Sequence, residues 1–216
     1  MTSAKSPSAA SSSPVSPSPR QPVHSHFAEG FGTVTVTPVD PAADAGLIHG
    51  WVTQERARFW GMGGASRELV REIYEDVDRR TTHHAFIVAL EGAPAGLFQT
   101  YECEADRVSE CYDVQPGDVG LHLLIAPGEG APRPGFSAAL LTAFLSFVFS
   151  DPAARRLVAE PDARNAKAIA RLERTGFVLG PEVVLPEIDL PEIYLPAKPA
   201  RLAFLGAPAA PSAGSR

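Results

Sequence analysis

The stretch LHLLIAPGEGAPRPGFSAALL, residues Leu121–Leu141, combines a short apolar strand, a loop rich in glycine and proline, and the start of an apolar helix. A chain that runs from a strand through such a loop into a helix gathers backbone N–H groups and the positive end of the helix dipole, which together can hold an anion. Gly135 allows the backbone to approach a phosphate closely, and Ser137 adds a hydroxyl in the first helical turn. Taken alone, the segment is equally compatible with an ordinary connection between a strand and a helix.

The segments on either side of this stretch alternate between strand-like and helix-like patterns. Thr33–Val39 alternates threonine and valine, as a half-buried strand does, and the runs at 84–90 and 95–103 flank a turn and predict a hairpin. In chain order the predicted elements are a strand at 33–39, helices at 42–52 and 67–79, strands at 84–90, 95–103 and 120–126, a helix at 135–149, a strand at 156–160, a helix at 165–175, and strands at 176–184 and 194–204. This order predicts an α/β fold, a mixed sheet with helices on both faces.

The two ends of the chain and its composition limit the classes of function. Residues 1–27 and 207–216 are rich in Ser, Pro and Ala and predict disordered tails around one domain at 28–206. The net charge of −6 argues against a nucleic-acid surface, and no apolar run is long enough to cross a membrane. Without an apolar leader we expect the cytoplasm. Cys103 and Cys111 predict free thiols, and the histidine spacing gives no reason to expect a metal.

A second motif lies nearer the carboxyl end of the chain. DARNAKA at 162–168, followed by TGF at 175–177, comes directly after a predicted strand. Here the chain resembles the GNAT superfamily of acetyl-CoA-dependent N-acyltransferases, over roughly residues 33–205. The resemblance implies a mixed, mostly antiparallel sheet in a single domain, with acyl-CoA as co-substrate.

The resemblance also implies which residues contact the co-substrate. The family's phosphate loop reads Q/R-x-x-G-x-G/A, and PRPGFS at 132–137 takes its place here. Pro132 and Ser137 depart from that pattern, and Pro132 and Pro134 lack a backbone N–H, so fewer amides are available and Arg133 would assist. The implied cofactor contacts are Leu124, Ile125 and Ala126, whose backbone N–H groups would polarise the thioester carbonyl, then Arg133, Gly135, Phe136 and Ser137, and finally Asn165, which would bond to the pantetheine or simply start a helix.

Three further strings narrow the resemblance. They are HGWV at 49–52 with RFWGM at 58–62, GDVGLH at 117–122, and VAEPDARN at 158–165. Together they resemble the siderophore-biosynthesis branch of GNATs, which acylates N-hydroxylysine, N-hydroxyornithine or N-hydroxycadaverine in the mycobactin, aerobactin and desferrioxamine pathways. The implied function is transfer of an acetyl or succinyl group from CoA to a hydroxylamine nitrogen. An ordinary amine acetyltransferase and a non-catalytic relative that binds CoA are the alternatives.

The reaction needs a group that accepts the proton lost by the attacking nitrogen. His122 has a suitable intrinsic pKa and shares one strand face with Leu124, whereas Leu121, Leu123 and Ile125 face the other way. A buried structural histidine is the alternative, and the family resemblance favours catalysis. Asp162 would orient His122, act as the base itself, or bind the hydroxylamine, unless it only caps a helix.

The acceptor pocket is assigned to four side chains near the first two predicted helices. We predict that His49, Trp51, Trp60 and Met62 wall this pocket, with core packing as the alternative for each. Trp60 is the stronger candidate because it lies in a glycine-rich loop, whereas Trp51 shares a helix with apolar neighbours. The expected partner is a small-molecule hydroxylamine, and the expected oligomeric state is monomer or homodimer.

Overall fold

The computed structural model describes residues 20–128, 133–190 and 193–208. In these ranges the α-helices are α1 (Pro41–Val52), α2 (Arg67–Arg79), α3 (Phe136–Val148) and α4 (Ala166–Arg174). The strands are β1 (His24–Ala28), β2 (Gly32–Pro38), β3 (His83–Leu90), β4 (Ala93–Glu102), β5 (Asp118–Ile125), β6 (Arg156–Ala159), β7 (Val178–Leu185), β8 (Ile188–Leu190), β9 (Ile193–Leu195) and β10 (Lys198–Gly206). A 3₁₀ helix over Glu55–Trp60 follows α1.

Eight of the described strands form one sheet in the order β1-β2-β3-β4-β5-β6-β10-β7. Neighbours are antiparallel except β5 and β6, which run parallel and are connected through α3. Strands β8 and β9 form a separate antiparallel hairpin. The prediction of a mixed, mostly antiparallel sheet within one domain is confirmed.

The helices begin where the sequence supplies suitable caps. The Asp40 side chain accepts from two backbone N–H groups of α1, the Ser66 hydroxyl accepts from one in α2, and the Asn165 side chain accepts from the Ala168 N–H in α4. Helix α3 begins instead at Gly135, which has a positive φ of 82° and no side-chain cap bond. No helix in the described ranges is long and apolar enough to span a membrane.

Helices cover both faces of the sheet, as the element order predicted. On one face α1 and α2 pack against β3, β4 and β5, in a cluster that includes Ile48, Trp51, Val70, Tyr74, Ile87, Leu97 and Leu124. On the other face α3 and α4 pack in a second cluster that includes Phe98, Leu121, Leu140, Phe144, Leu157 and Leu172. Leu121 and Leu124 therefore lie on opposite faces, which confirms the predicted alternation along β5.

The pairing between β5 and β6 ends halfway along β5. Four residues pair, from Asp118 with Arg156 to Leu121 with Ala159, and β6 ends there. Strand β5 continues to Ile125, paired only with β4 on its other edge. We call the edge of β5 over residues 122–125, where β6 no longer pairs, the gap.

Two predicted boundaries were wrong. Residues 24–27 were assigned to the N-terminal tail, but His24–Ala28 forms β1, which pairs with β2 and places the His24 ring nitrogen Nε2 2.9 Å from Ser146 Oγ of α3. The predicted last strand at 194–204 is divided, because Ile193–Leu195 pairs with β8 and the sheet strand starts at Lys198. The tails at 1–19 and 209–216 lie outside the described residues.

Candidate active site

His122 lies at the start of the gap, on the face of the sheet covered by α1 and α2. Its Nε2 is 2.7 Å from Glu160 Oε1, and its Nδ1 is 3.2 Å from Gln99 Oε1 on β4. The ring also contacts two aromatic side chains, Tyr101 at 4.9 Å and Trp60 at 6.2 Å between ring centroids. The side chain keeps 37% of its surface exposed, so it is both oriented and accessible.

Glu160 is the residue directly after β6 and is almost fully buried, with 3% exposure. Besides His122, its carboxylate accepts from the Tyr101 hydroxyl at 2.8 Å and lies 3.7 Å from Lys198 Nζ. Burial raises the pKa of this carboxyl, but the charge and hydrogen bond of His122, followed by Lys198 and Tyr101, outweigh burial and lower the pKa to about 2. Glu160 is therefore ionised at neutral pH, and both of its oxygens are engaged.

The ionised Glu160 determines which nitrogen of His122 can change its protonation. A carboxylate only accepts hydrogen bonds, so Nε2 donates to it and keeps its proton. Nδ1 is then the nitrogen that takes up or releases a proton, and Gln99 Oε1 can accept from Nδ1 once it is protonated. In this arrangement a carboxylate orients a histidine that can act as a base.

The string GDVGLH has a steric role in this network. A Cβ added to Gly120 would overlap the ring of Tyr101, so a larger residue would displace the tyrosine that bonds to Glu160. Gly117 has a φ of 88° in the turn before β5, a conformation that favours glycine. Asp118 accepts from Arg156 through two bonds of 2.7 Å and fixes the start of β5 against β6.

The gap exposes one edge of β5. The Ala126 N–H donates to the Ala95 carbonyl of β4. In an antiparallel pair every second residue bonds to the partner strand, so the backbone groups of Leu124 also point toward β4. The backbone groups of Ile125 and Leu123 point the other way, into the gap. The expectation that the N–H groups of residues 124–126 all contact a ligand is thus corrected. Of these three only the Ile125 N–H points into the gap, together with that of Leu123. A strand edge of this kind suits an extended chain that contains amides, as pantetheine does.

The predicted phosphate loop is described from residue 133 onward, and Pro132 lies outside the described residues. Arg133 is exposed and its guanidinium lies 5.0 Å above the ring of Phe31. The N–H of Phe136 donates to the Arg133 carbonyl, so this amide is already engaged. Ser137 follows in the first turn of α3. Their contacts with a phosphate stay a prediction.

Asp162 is buried, but it is not one of the hydrogen-bond partners of His122. Its carboxylate accepts from the Arg164 side chain at 2.7 and 2.8 Å and from the Arg164 backbone N–H at 2.9 Å. These bonds lower the pKa of Asp162. The carboxylate that orients His122 in the structure is that of Glu160. The helix cap is Asn165, whose side chain accepts from Ala168 N–H at 3.2 Å.

The four residues assigned to the acceptor pocket divide into two groups. Trp60 is half-buried and edge-on to His122, which places it at the candidate site. Trp51 is 6% exposed within the core under α1 and α2, where Met62 packs as a partly buried neighbour. His49 is half-buried in the last turn of α1. Their contacts with an acceptor remain predictions.

Sequence reasoning did not identify Glu160, Gln99, Tyr101 or Lys198 as site residues. A signal existed for Glu160, because a carboxylate directly after an apolar strand at the gap is unusual unless it is paired. Gln99 and Tyr101 reach His122 only through the β4–β5 register, and Lys198 donates to the Glu160 carbonyl at 3.2 Å from β10. Within the described residues, no group of three or more His, Cys, Asp or Glu could hold a metal ion.

Several known proteins are similar to this chain in sequence or in fold. The chain is similar to the lysine N-acyltransferase MbtK of Mycobacterium sp. (strain MCS), 30% identical over 154 residues, or 70% of this chain and 60% of that protein. It is also similar to N(6)-hydroxylysine O-acetyltransferase of Escherichia coli, 26% identical over 64% of this chain and 44% of that protein, and to N-hydroxyputrescine acetyltransferase of Acinetobacter baumannii, 32% identical over 37% of each. The chain thus spans about 60% or less of these relatives' own lengths.

A solved structure and a family description complete the comparison. Aminoglycoside acetyltransferase AAC(6')-Ib in complex with coenzyme A has a TM-score of 0.67 at 23% identity, over 80% of this chain and 94% of that one, and shows the same fold. The family described as "Acetyltransferase (GNAT) domain" matches residues 40–185. This match covers more than half of the chain, so the protein belongs to the acetyltransferase (GNAT) domain family.

Proposed function

We propose that this protein is an acyl-CoA-dependent N-acyltransferase that forms a hydroxamate by acylating an N-hydroxylated diamine or amino acid, a step of siderophore biosynthesis. The observation that carries the proposal is His122 at the open edge of β5, held by the buried, ionised Glu160 at 2.7 Å. The proposal is supported by the similarity to proteins named for lysine N-acylation and for hydroxylysine and hydroxyputrescine acetylation. The proposed acyl donors are acetyl-CoA and succinyl-CoA.

In the proposed reaction the hydroxylamine nitrogen attacks the thioester carbon. The new C–N bond forms, the C–S bond breaks, and CoA leaves as the thiolate. His122 accepts the nitrogen's proton at Nδ1, and Glu160 stabilises the resulting imidazolium through Nε2. The proton then passes to the thiolate or to solvent. The Ile125 N–H at the gap would donate to the developing oxyanion.

The carboxylates of the site favour an uncharged nucleophile. Both oxygens of Glu160 are engaged by His122, Lys198 and Tyr101, and those of Asp162 are engaged by Arg164. Neither side chain is left to bind an ammonium group beside His122. A hydroxylamine is largely neutral at pH 7, whereas a simple alkylamine carries a charge, so this environment matches the hydroxylamine better.

Acetylation of an ordinary amine is the second candidate function, because the fold is shared with the aminoglycoside acetyltransferase structure. A non-catalytic CoA-binding relative is the third, suggested by the prolines in the phosphate loop. Product formation separates the first two candidates, and turnover of any kind excludes the third. The finer assignments, namely the desferrioxamine pathway, a cytoplasmic location and a monomer or homodimer, remain predictions.

The test follows release of the CoA thiol from acetyl-CoA and succinyl-CoA, with N-hydroxycadaverine, N6-hydroxylysine and plain cadaverine as parallel acceptors. We expect release with the hydroxylamines and little with cadaverine. Adding Fe³⁺ to the product distinguishes N-acylation, which gives a coloured hydroxamate complex, from O-acylation, which does not. Turnover restricted to cadaverine, or a product that does not chelate iron, would refute the proposal.

A further inference from the structure

Arg171 lies close to two further arginines, Arg56 and Arg174, and Arg56 contacts the far end of the gap. Arg56, in the 3₁₀ helix after α1, donates from Nη1 to the Ile125 carbonyl at 2.8 Å. Arg171 and Arg174 project from the last turn of α4. Burial lowers the pKa of Arg171, and the charges of Arg174 and Arg56 lower it further, so Arg171 lies within electrostatic reach of both.

These arginines differ from most others in the described chain because no described carboxylate pairs with them. Eight other arginines form an ion pair with Asp or Glu, namely Arg20, Arg58, Arg71, Arg79, Arg80, Arg156, Arg164 and Arg201. In addition, Nε of Arg171 is buried without a hydrogen-bond partner among the described residues, as is Nε of Arg201, whose guanidinium is paired with Glu182.

A partly buried guanidinium beside other cations is unfavourable unless an anion compensates it. The position of the cluster identifies where that anion would lie. The Ile125 carbonyl that Arg56 contacts belongs to the β5 edge that faces the gap, where the acyl-CoA donor is proposed to bind. The start of α3 offers few replacement donors, because Pro134 has no N–H and the Phe136 N–H is engaged by Arg133.

We propose that Arg171, together with Arg56, binds an anionic group of the acyl-CoA donor in the gap. The inference rests on the proposed function, since it takes acyl-CoA as the ligand. Two parts of the donor have the required chemistry: the phosphates of CoA, and the free carboxylate of a dicarboxylic acyl group such as succinyl. In either case a bidentate Arg171 would satisfy its buried Nε.

The experiment measures binding by calorimetry with the full chain and without an acceptor, so it does not depend on turnover. The ligands are CoA, 3′-dephospho-CoA, pantetheine, acetyl-CoA and succinyl-CoA. The variants are Arg171→Gln and Arg171→Lys, and the matched control is Arg71→Gln, an exposed arginine of α2 whose replacement removes the same charge. Thermal unfolding of each variant confirms that it is folded.

If the phosphates are the ligand, Arg171→Gln weakens CoA binding about tenfold or more and leaves pantetheine binding unchanged, while Arg171→Lys recovers part of the loss. If the acyl carboxylate is the ligand, Arg171→Gln leaves CoA and acetyl-CoA unchanged and weakens only succinyl-CoA. Equal binding of all ligands by wild type and Arg171→Gln, or an equal loss in Arg71→Gln, overturns the inference.

The outcome is separable from that of the proposed function. Binding that depends on Arg171 without hydroxamate formation would refute the proposed function alone. Hydroxamate formation with binding indifferent to Arg171 would refute this inference alone. A wild-type chain that binds neither CoA nor succinyl-CoA would refute both.

Discussion

Replacing Glu160 with glutamine removes one buried negative charge and keeps the size of the side chain. In the wild type that charge accepts from His122 and Tyr101 and lies 3.7 Å from Lys198 Nζ. Glutamine can still accept through one oxygen, but its amide group places a donor against either His122 or Tyr101. The substitution therefore tests whether the charge itself orients His122.

The magnitude follows from the pKa of Glu160, which falls from 4.5 to about 2 in the folded protein. This lowering of the pKa, at about 1.4 kcal/mol for each pKa unit, corresponds to about 3 to 4 kcal/mol of folding free energy from this charge. Because the folded pKa lies below the unfolded value, this stabilisation is complete above pH 4.5 and is lost as the pH falls toward 2. We expect Glu160→Gln to lose about 3 to 4 kcal/mol at pH 7 and to show a flatter decline in stability between about pH 5 and pH 2.

The assay is urea unfolding of both proteins at a series of pH values, combined with kcat/KM for thiol release. The control is Glu182→Gln, which removes an exposed carboxylate 3.5 Å from Arg201 and should cost at most about 1 kcal/mol. We expect kcat/KM of Glu160→Gln to fall about 10²-fold or more, because the His122 base loses its orienting anion. A Glu160→Gln protein with wild-type stability at pH 7 and kcat/KM within a factor of three would refute the reasoning.

Three further substitutions test the site and its support. His122→Ala should lower kcat about 10²- to 10⁴-fold while changing CoA affinity little, measured by thiol release and calorimetry, and equal losses in both would contradict a role in proton transfer. Gly120→Ala should displace the Tyr101 ring and reduce both stability and kcat, with an unchanged melting temperature counting against the steric argument. Asp118→Asn should leave Arg156 without its buried anion and cost about 3 kcal/mol in urea unfolding while CoA still binds; a cost below about 1 kcal/mol would mean that the pair adds little.

Composition and local sequence pattern predicted a large part of the fold, because most helices and strands are indicated by residues close together in the chain. The amphipathic run at Arg67–Arg79 and the apolar β3 and β4 runs around a turn depend on neighbours along the chain. Strand β1 was missed because HSHFA has no strong strand pattern and forms through pairing with β2 and contact with α3. The sequence of this polar segment, next to a Ser/Pro/Ala-rich stretch, does not indicate that it will pair with β2.

The sequence by itself determined the fold class and the family resemblance, because the element order and the motifs are local patterns, and the resemblance favoured His122 as the candidate base over a buried structural histidine. Tertiary structure alone decided that Glu160, 38 residues later in the chain, orients His122, and that Asp162 pairs with Arg164 instead. The distinction depends on where β6 stops pairing with β5. Asp162, two positions after Glu160, meets Arg164 instead, and only the register of the sheet selects which carboxylate meets the histidine.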